Sequence, residues 1–127
     1  MRSRFAALTL PGVLAACATA APAPANYVVA YELTANFGAP FDSVKYDDGH
    51  GSLIKVNAPS SEWLVAVSVV TGGSVEAHAW GVASVGGQSV KLKATWTLSG
   101  VSSSSDSSGT TASAPGAFAL DVAKRQL

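Results

Sequence analysis

A chain of 127 residues with eight bases, eight acids and a single cysteine has room for one domain and a buried core. It carries no excess of positive charge to hold nucleic acid or an anionic bilayer. It also has no second thiol for a disulfide or a cysteine-built metal centre.

The chain opens with Arg2 and Arg4, runs through apolar residues 5–16 with only Thr9 as a polar interruption, and reaches Leu14-Ala15-Ala16-Cys17. A charged start, an apolar middle and a small-residue end are the parts of a secretory signal. Leucine three before a cysteine, with two alanines between, is the pattern of a bacterial lipobox. The stretch therefore predicts a lipoprotein signal peptide over residues 1–16, cleavage before Cys17 and lipidation of Cys17. Spanning a bilayer takes ~20 apolar residues, and here Pro11-Gly12 breaks the run before Pro22 and Pro24 follow. One acyl chain holds marginally, at about 0.8 kcal/mol per methylene, whereas two or more anchor stably. Losing Arg2 and Arg4 leaves six bases against eight acids, a formal charge of −2. The expected place is the cell envelope, lipid-anchored and facing the periplasm from the inner or outer membrane, because no acidic run follows the cysteine.

Residues 17–26 include ATAAPAPA, small residues with two prolines, and read as an extended tether at ~3.1 Å per residue. From Tyr27 to the end, residues 27–127, the period becomes two. Tyr27, Val29, Tyr31 and Leu33 alternate with Val28, Ala30, Glu32 and Thr34, as in a half-buried strand. A turn at 36–40 leads to a second strand carrying Val44 and Tyr46. Asp47-Asp48-Gly49-His50-Gly51 reads as a hairpin turn, since Asp and Gly are what tight turns demand, and 53–56 returns.

Residues 63–71, WLVAVSVVT, are apolar on both faces, which predicts a central strand. Gly72-Gly73 turns into residues 75–85, where Val75, Ala77 and Ala79 oppose Glu76, His78 and Trp80. After Gly86-Gly87, Val90, Leu92, Ala94, Trp96 and Leu98 point in while Lys91, Lys93, Thr95 and Thr97 point out. Residues 102–111, rich in Ser, Thr and Gly, read as a linker or at best a poor edge strand. Phe118, Leu120 and Val122 alternate in a last strand. The expectation is all-β: an antiparallel β-sandwich of about seven or eight strands with an immunoglobulin-like arrangement.

Tyr27-x-Val29-x-Tyr31, Val44-x-Tyr46-x-Asp48-Gly49, Ser61-x-Trp63 and a Gly-Ser-Val turn resemble the small immunoglobulin-like domain of MmpS-type transport accessory proteins. The resemblance spans 26 to about 122. It departs from that family in lacking a cysteine pair late in the domain and in using a lipid where the family has a transmembrane helix. The resemblance implies an accessory role beside an envelope transport complex and no catalytic residues.

Chemistry is sparse. The Asp47–Gly51 cluster has too few ligands for calcium or zinc, so no metal or cofactor is expected. No Gly-x-Ser-x-Gly elbow occurs, and no helix is there to carry one, so no enzyme is expected. Glu76, His78 and Trp80 share one face of a strand and form the candidate binding group. An exposed Trp80 could anchor a partner or stack on a sugar, whereas a register shift at Gly81 would turn it inward. Two roles follow: a non-enzymatic accessory or interaction domain on an envelope protein complex, or a binding module for glycan or another small ligand.

Overall fold

The computed structural model describes residues 26–98, 103–111 and 115–127. The lipobox, Cys17 and the tether up to residue 25 lie outside them. Eight strands form: β1 Asn26–Ala35, β2 Phe41–Asp47, β3 Leu53–Asn57, β4 Glu62–Val70, β5 Ser74–Ala83, β6 Ser89–Leu98, β7 Ser103–Thr111 and β8 Gly116–Gln126. They make two antiparallel four-stranded sheets, β4-β1-β6-β7 and β3-β2-β5-β8, packed as the expected β-sandwich. In an immunoglobulin constant domain the order is ABED over CFG. Here β1 pairs with β4 as B pairs with E, and β2, β5 and β8 follow one another as C, F and G do. The β6–β7 hairpin is added on the far side of β1.

Period-two alternation explains the core. One face of β1 buries Val29, Tyr31 and Leu33, the matching face of β6 buries Val90, Leu92, Ala94 and Trp96, and β5 and β8 answer with Val75, Ala77, Ala79, Leu120 and Val122. The residues that carry the family resemblance meet inside. Tyr31 lies 5.4 Å from Tyr46 across the sheets, and Tyr46 lies 5.7 Å from Trp63. Their spacing is explained by packing. Trp96 is buried as expected, but Trp63 is only half-buried.

Gly81 has a steric reason. A Cβ there would collide with the Pro40 carbonyl and the Phe118 ring, and the neighbouring Val82 N–H donates to that same carbonyl at 3.0 Å. The β1–β2 corner is thereby pinned onto β5.

One expectation is corrected and one alternative decided. The 63–71 segment is an edge strand, because β4 pairs only with β1 among the described residues. Its second apolar face is turned to solvent, with Leu64 64% exposed. Of the two readings of residues 102–111, the edge strand holds and the linker does not, since over 103–111 β7 pairs with β6 from Ser103–Thr97 to Ser89–Thr111. This strand has no apolar side chain on either face and is held by its backbone ladder, so side-chain periodicity carries no trace of it.

At the β7–β8 margin the sandwich is closed by polar groups. Between Val75 and Ala77 of β5, β8 advances from Arg125 to Val122, one residue too many, which marks a β-bulge. Arg125 is thus set opposite the buried Val75. Its guanidinium lies 5.2 Å from the Trp96 ring and 3.8 Å from the Asp106 carboxylate.

Candidate functional site

Strand β5 sits between β2 and β8, so its outward residues have neighbours on both sides. The β5–β8 register runs unbroken through Gly81, which keeps Trp80 on the outer face. Lys45, His78 and Asp121 lie in one row, and Ser43, Trp80 and Ala119 in the next. Glu76 is two residues before His78 on the same face. The three sequence candidates, Glu76, His78 and Trp80, are therefore together, and the fold adds Asp121 and Lys45. Alternation in β8 puts Asp121 outward, but only the pairing of β8 with β5 brings it to His78. Nothing local in the sequence announces that pairing.

His78 is clamped. Its Nδ1 lies 2.6 Å from Asp121 Oδ1 and its Nε2 lies 2.8 Å from Glu76 Oε2. Only a protonated imidazole can donate from both nitrogens. Burial alone would lower the imidazole pKa, but hydrogen bonds to Asp121 and Glu76 outweigh it and raise the value. Both imidazole nitrogens are thereby engaged by carboxylates. Its ring stacks on Trp80 at 6.1 Å and 25°, and the Lys45 ammonium lies 5.8 Å from the Trp80 ring centre. Trp80 is thus braced by an imidazole ring and an ammonium group while remaining 36% exposed. Beyond it on the same face lies Val82, also exposed, with Ala119 and Ala117 across from the pair.

The Asp47–Gly51 group is a turn with its acids engaged. Asp47 is buried and accepts from the Gly49 N–H at 2.7 Å and the Ser74 hydroxyl at 2.5 Å. Asp48 accepts from the His50 and Ser52 N–H groups at 2.7 and 3.3 Å. Those backbone donors, His50 first, hold its carboxyl below the ordinary range. Among the described residues no group of three or more His, Cys, Asp or Glu is arranged to hold a metal ion.

Two open grooves lie on the other sheet. One, of about 650 Å³, is lined by residues that include Thr34, Asn36, Ser89, Lys91 and Thr110. The second, of about 310 Å³, lies beside Glu32, Glu62 and Leu64. Neither reaches Trp80. No protein-family model matches the chain, and no curated protein and no solved structure matches it.

Proposed function

We propose that this is a non-enzymatic envelope protein, lipid-anchored through Cys17, that docks a protein partner on the outer face of the β3-β2-β5-β8 sheet. The observation that carries the reading is Trp80, a tryptophan exposed on a flat sheet and stacked against His78. A rigid aromatic ring with little side-chain entropy to lose is the residue type that dominates contact energy. The surrounding Glu76, His78, Asp121 and Lys45 would form a polar rim. Glycan and small-ligand modules present a row of rings or a cleft. Among the described residues Trp80 has no second Trp, Tyr or Phe paired beside it, its outward neighbours across β2 and β8 being Ser43 and Ala119. That favours a protein partner, and an accessory role on an envelope transport complex fits it.

The test begins in cells. Lipidation predicts a diacylglyceryl-modified Cys17 at the mature amino terminus by mass spectrometry, and loss of membrane retention in Cys17→Ser. In-cell cross-linking followed by affinity purification then identifies the partner. Trp80→Ala should weaken that binding by ~2 kcal/mol or more with the fold intact. Retained binding by Trp80→Ala would move the contact surface elsewhere.

A further inference from the structure

We propose that a second copy of this chain pairs with the free edge of β4, joining two β4-β1-β6-β7 sheets into one eight-stranded sheet across a two-fold axis at Ala66. The inference is independent of the Trp80 face, which lies on the other sheet.

The phase of the ladder identifies which groups are free. The Ala35 N–H donates to the Ser61 carbonyl at 3.0 Å. In an antiparallel pair such bonds recur at every second residue, so Trp63, Val65, Val67 and Val69 direct their backbone groups toward β1. Leu64, Ala66 and Ser68 direct theirs the other way, where no described residue pairs with Leu64 or Ala66 and Gly49 of the β2–β3 turn lies against the Ser68 carbonyl. From Trp63 to Val70 the strand has no charge and no proline. Lysine, proline, bulges and short length are the usual guards of a sheet edge, and β4 has none of them. The opposite edge of the same sheet is β7, short of apolar groups and bordered by Arg125 and Asp106. The sandwich therefore has one blunted margin and one open one. On the open side, β3 of the other sheet adds Leu53 at 43% and Ile54 at 38% exposure.

The strand is complementary to itself. An antiparallel copy centred on Ala66 sets Ala66 opposite Ala66, Leu64 opposite Ser68 and Val65 opposite Val67. Every facing pair there is neutral, and about four backbone hydrogen bonds form, two at Ala66 and one from each Ser68 N–H. The contact is isologous and closes after two copies. It would also cover Trp63, Val65 and Val67, which are only half-buried now. The chain's own leading segment is a poor occupant, since Pro22 and Pro24 lack the N–H a ladder needs.

The experiment uses the full chain in its membrane. In the proposed pair the two Ala66 Cα atoms would be about 5.5 Å apart, within disulfide reach. Ala66→Cys should therefore give a reducible dimer under mild oxidation. The wild type controls for Cys17. Ser105→Cys lies in the same cross-sheet row on the far edge and should give no dimer above wild type. Ala66→Lys would bring two ammonium groups together across the axis. It should weaken self-association in detergent sedimentation by ~100-fold or more, with the far-ultraviolet circular dichroism of the folded sheet unchanged because this side chain faces solvent. If Ala66→Lys fails to fold, Ser68→Lys supplies the same comparison. The proposal is overturned by a folded Ala66→Cys chain that forms no dimer, or by equal dimerisation through Ser105→Cys. It is also overturned by an Ala66→Cys adduct with a different protein, or by unchanged self-association of the folded lysine variant.

Discussion

Individual side chains make separable predictions. Trp96 is 8% exposed and fills the core beneath Arg125, so Trp96→Ala should cost ~3–5 kcal/mol through lost burial and a cavity. Trp63→Ala on the open edge should cost clearly less, and the two denaturant midpoints measure the difference. The buried Tyr31 hydroxyl makes no hydrogen bond of good geometry with any described residue, and burial pushes its ionisation far up. Tyr31→Phe should therefore leave stability within about 1 kcal/mol of wild type or raise it. His78 titrates with a folded pKa above the ordinary value of 6.5. Its clamp therefore stabilises the fold fully below that ordinary value and is lost as pH rises through the folded one. Unfolding against pH should show this slope in wild type and not in His78→Gln. Asp121→Asn should move the imidazole NMR titration downward. The grouping of Glu76, His78 and Trp80 was legible because a strand's period places i and i+2 together. Asp121 and Lys45 were not, since cross-strand register is decided by the whole sheet.

At the scale of elements, every strand with an apolar face could be read from the sequence, and the one segment misplaced and the one left open share a cause. Periodicity reports which side chains leave water, so it identifies strands through burial and is blind to position in a sheet. The β4 sequence is apolar on both faces and imitates a central strand, while β7 is polar on both and imitates a linker. Each is an edge. Because β7 buries no apolar group of its own, its ladder should open locally long before the molecule unfolds. Hydrogen exchange should show the β7 amides exchanging at least ~100-fold faster than those of β1, which is paired on both sides. Equal protection would mean that β7 belongs to the cooperative core.

For the whole molecule, the two outer faces differ as much as the two margins. The β3-β2-β5-β8 face concentrates ionisable groups around Trp80. The β4-β1-β6-β7 face carries exposed Val28, Leu64 and Val70 beside hydroxyl-bearing strands. An unprotected edge of this kind also governs behaviour in concentrated solution, because it templates any passing strand. Leu64→Lys should raise solubility and delay aggregation on heating, with a midpoint near that of wild type since Leu64 contributes little to the core. Light scattering during a thermal scan checks this.

The extra residue in β8 has a consequence for length variation. Without it, Lys124 would stand opposite Val75 and Arg125 would face outward. A flexible ammonium would then replace the planar group that covers Trp96, and the two are poor substitutes in stacking. Deleting Ala123 removes the surplus but leaves Arg125 opposite Val75, so a one-residue shortening here should be accepted. Adding one residue at the same point shifts the parity of everything after it, uncovers Trp96 and should be rejected. Most strands forbid both changes alike, whereas this one tolerates loss and not gain.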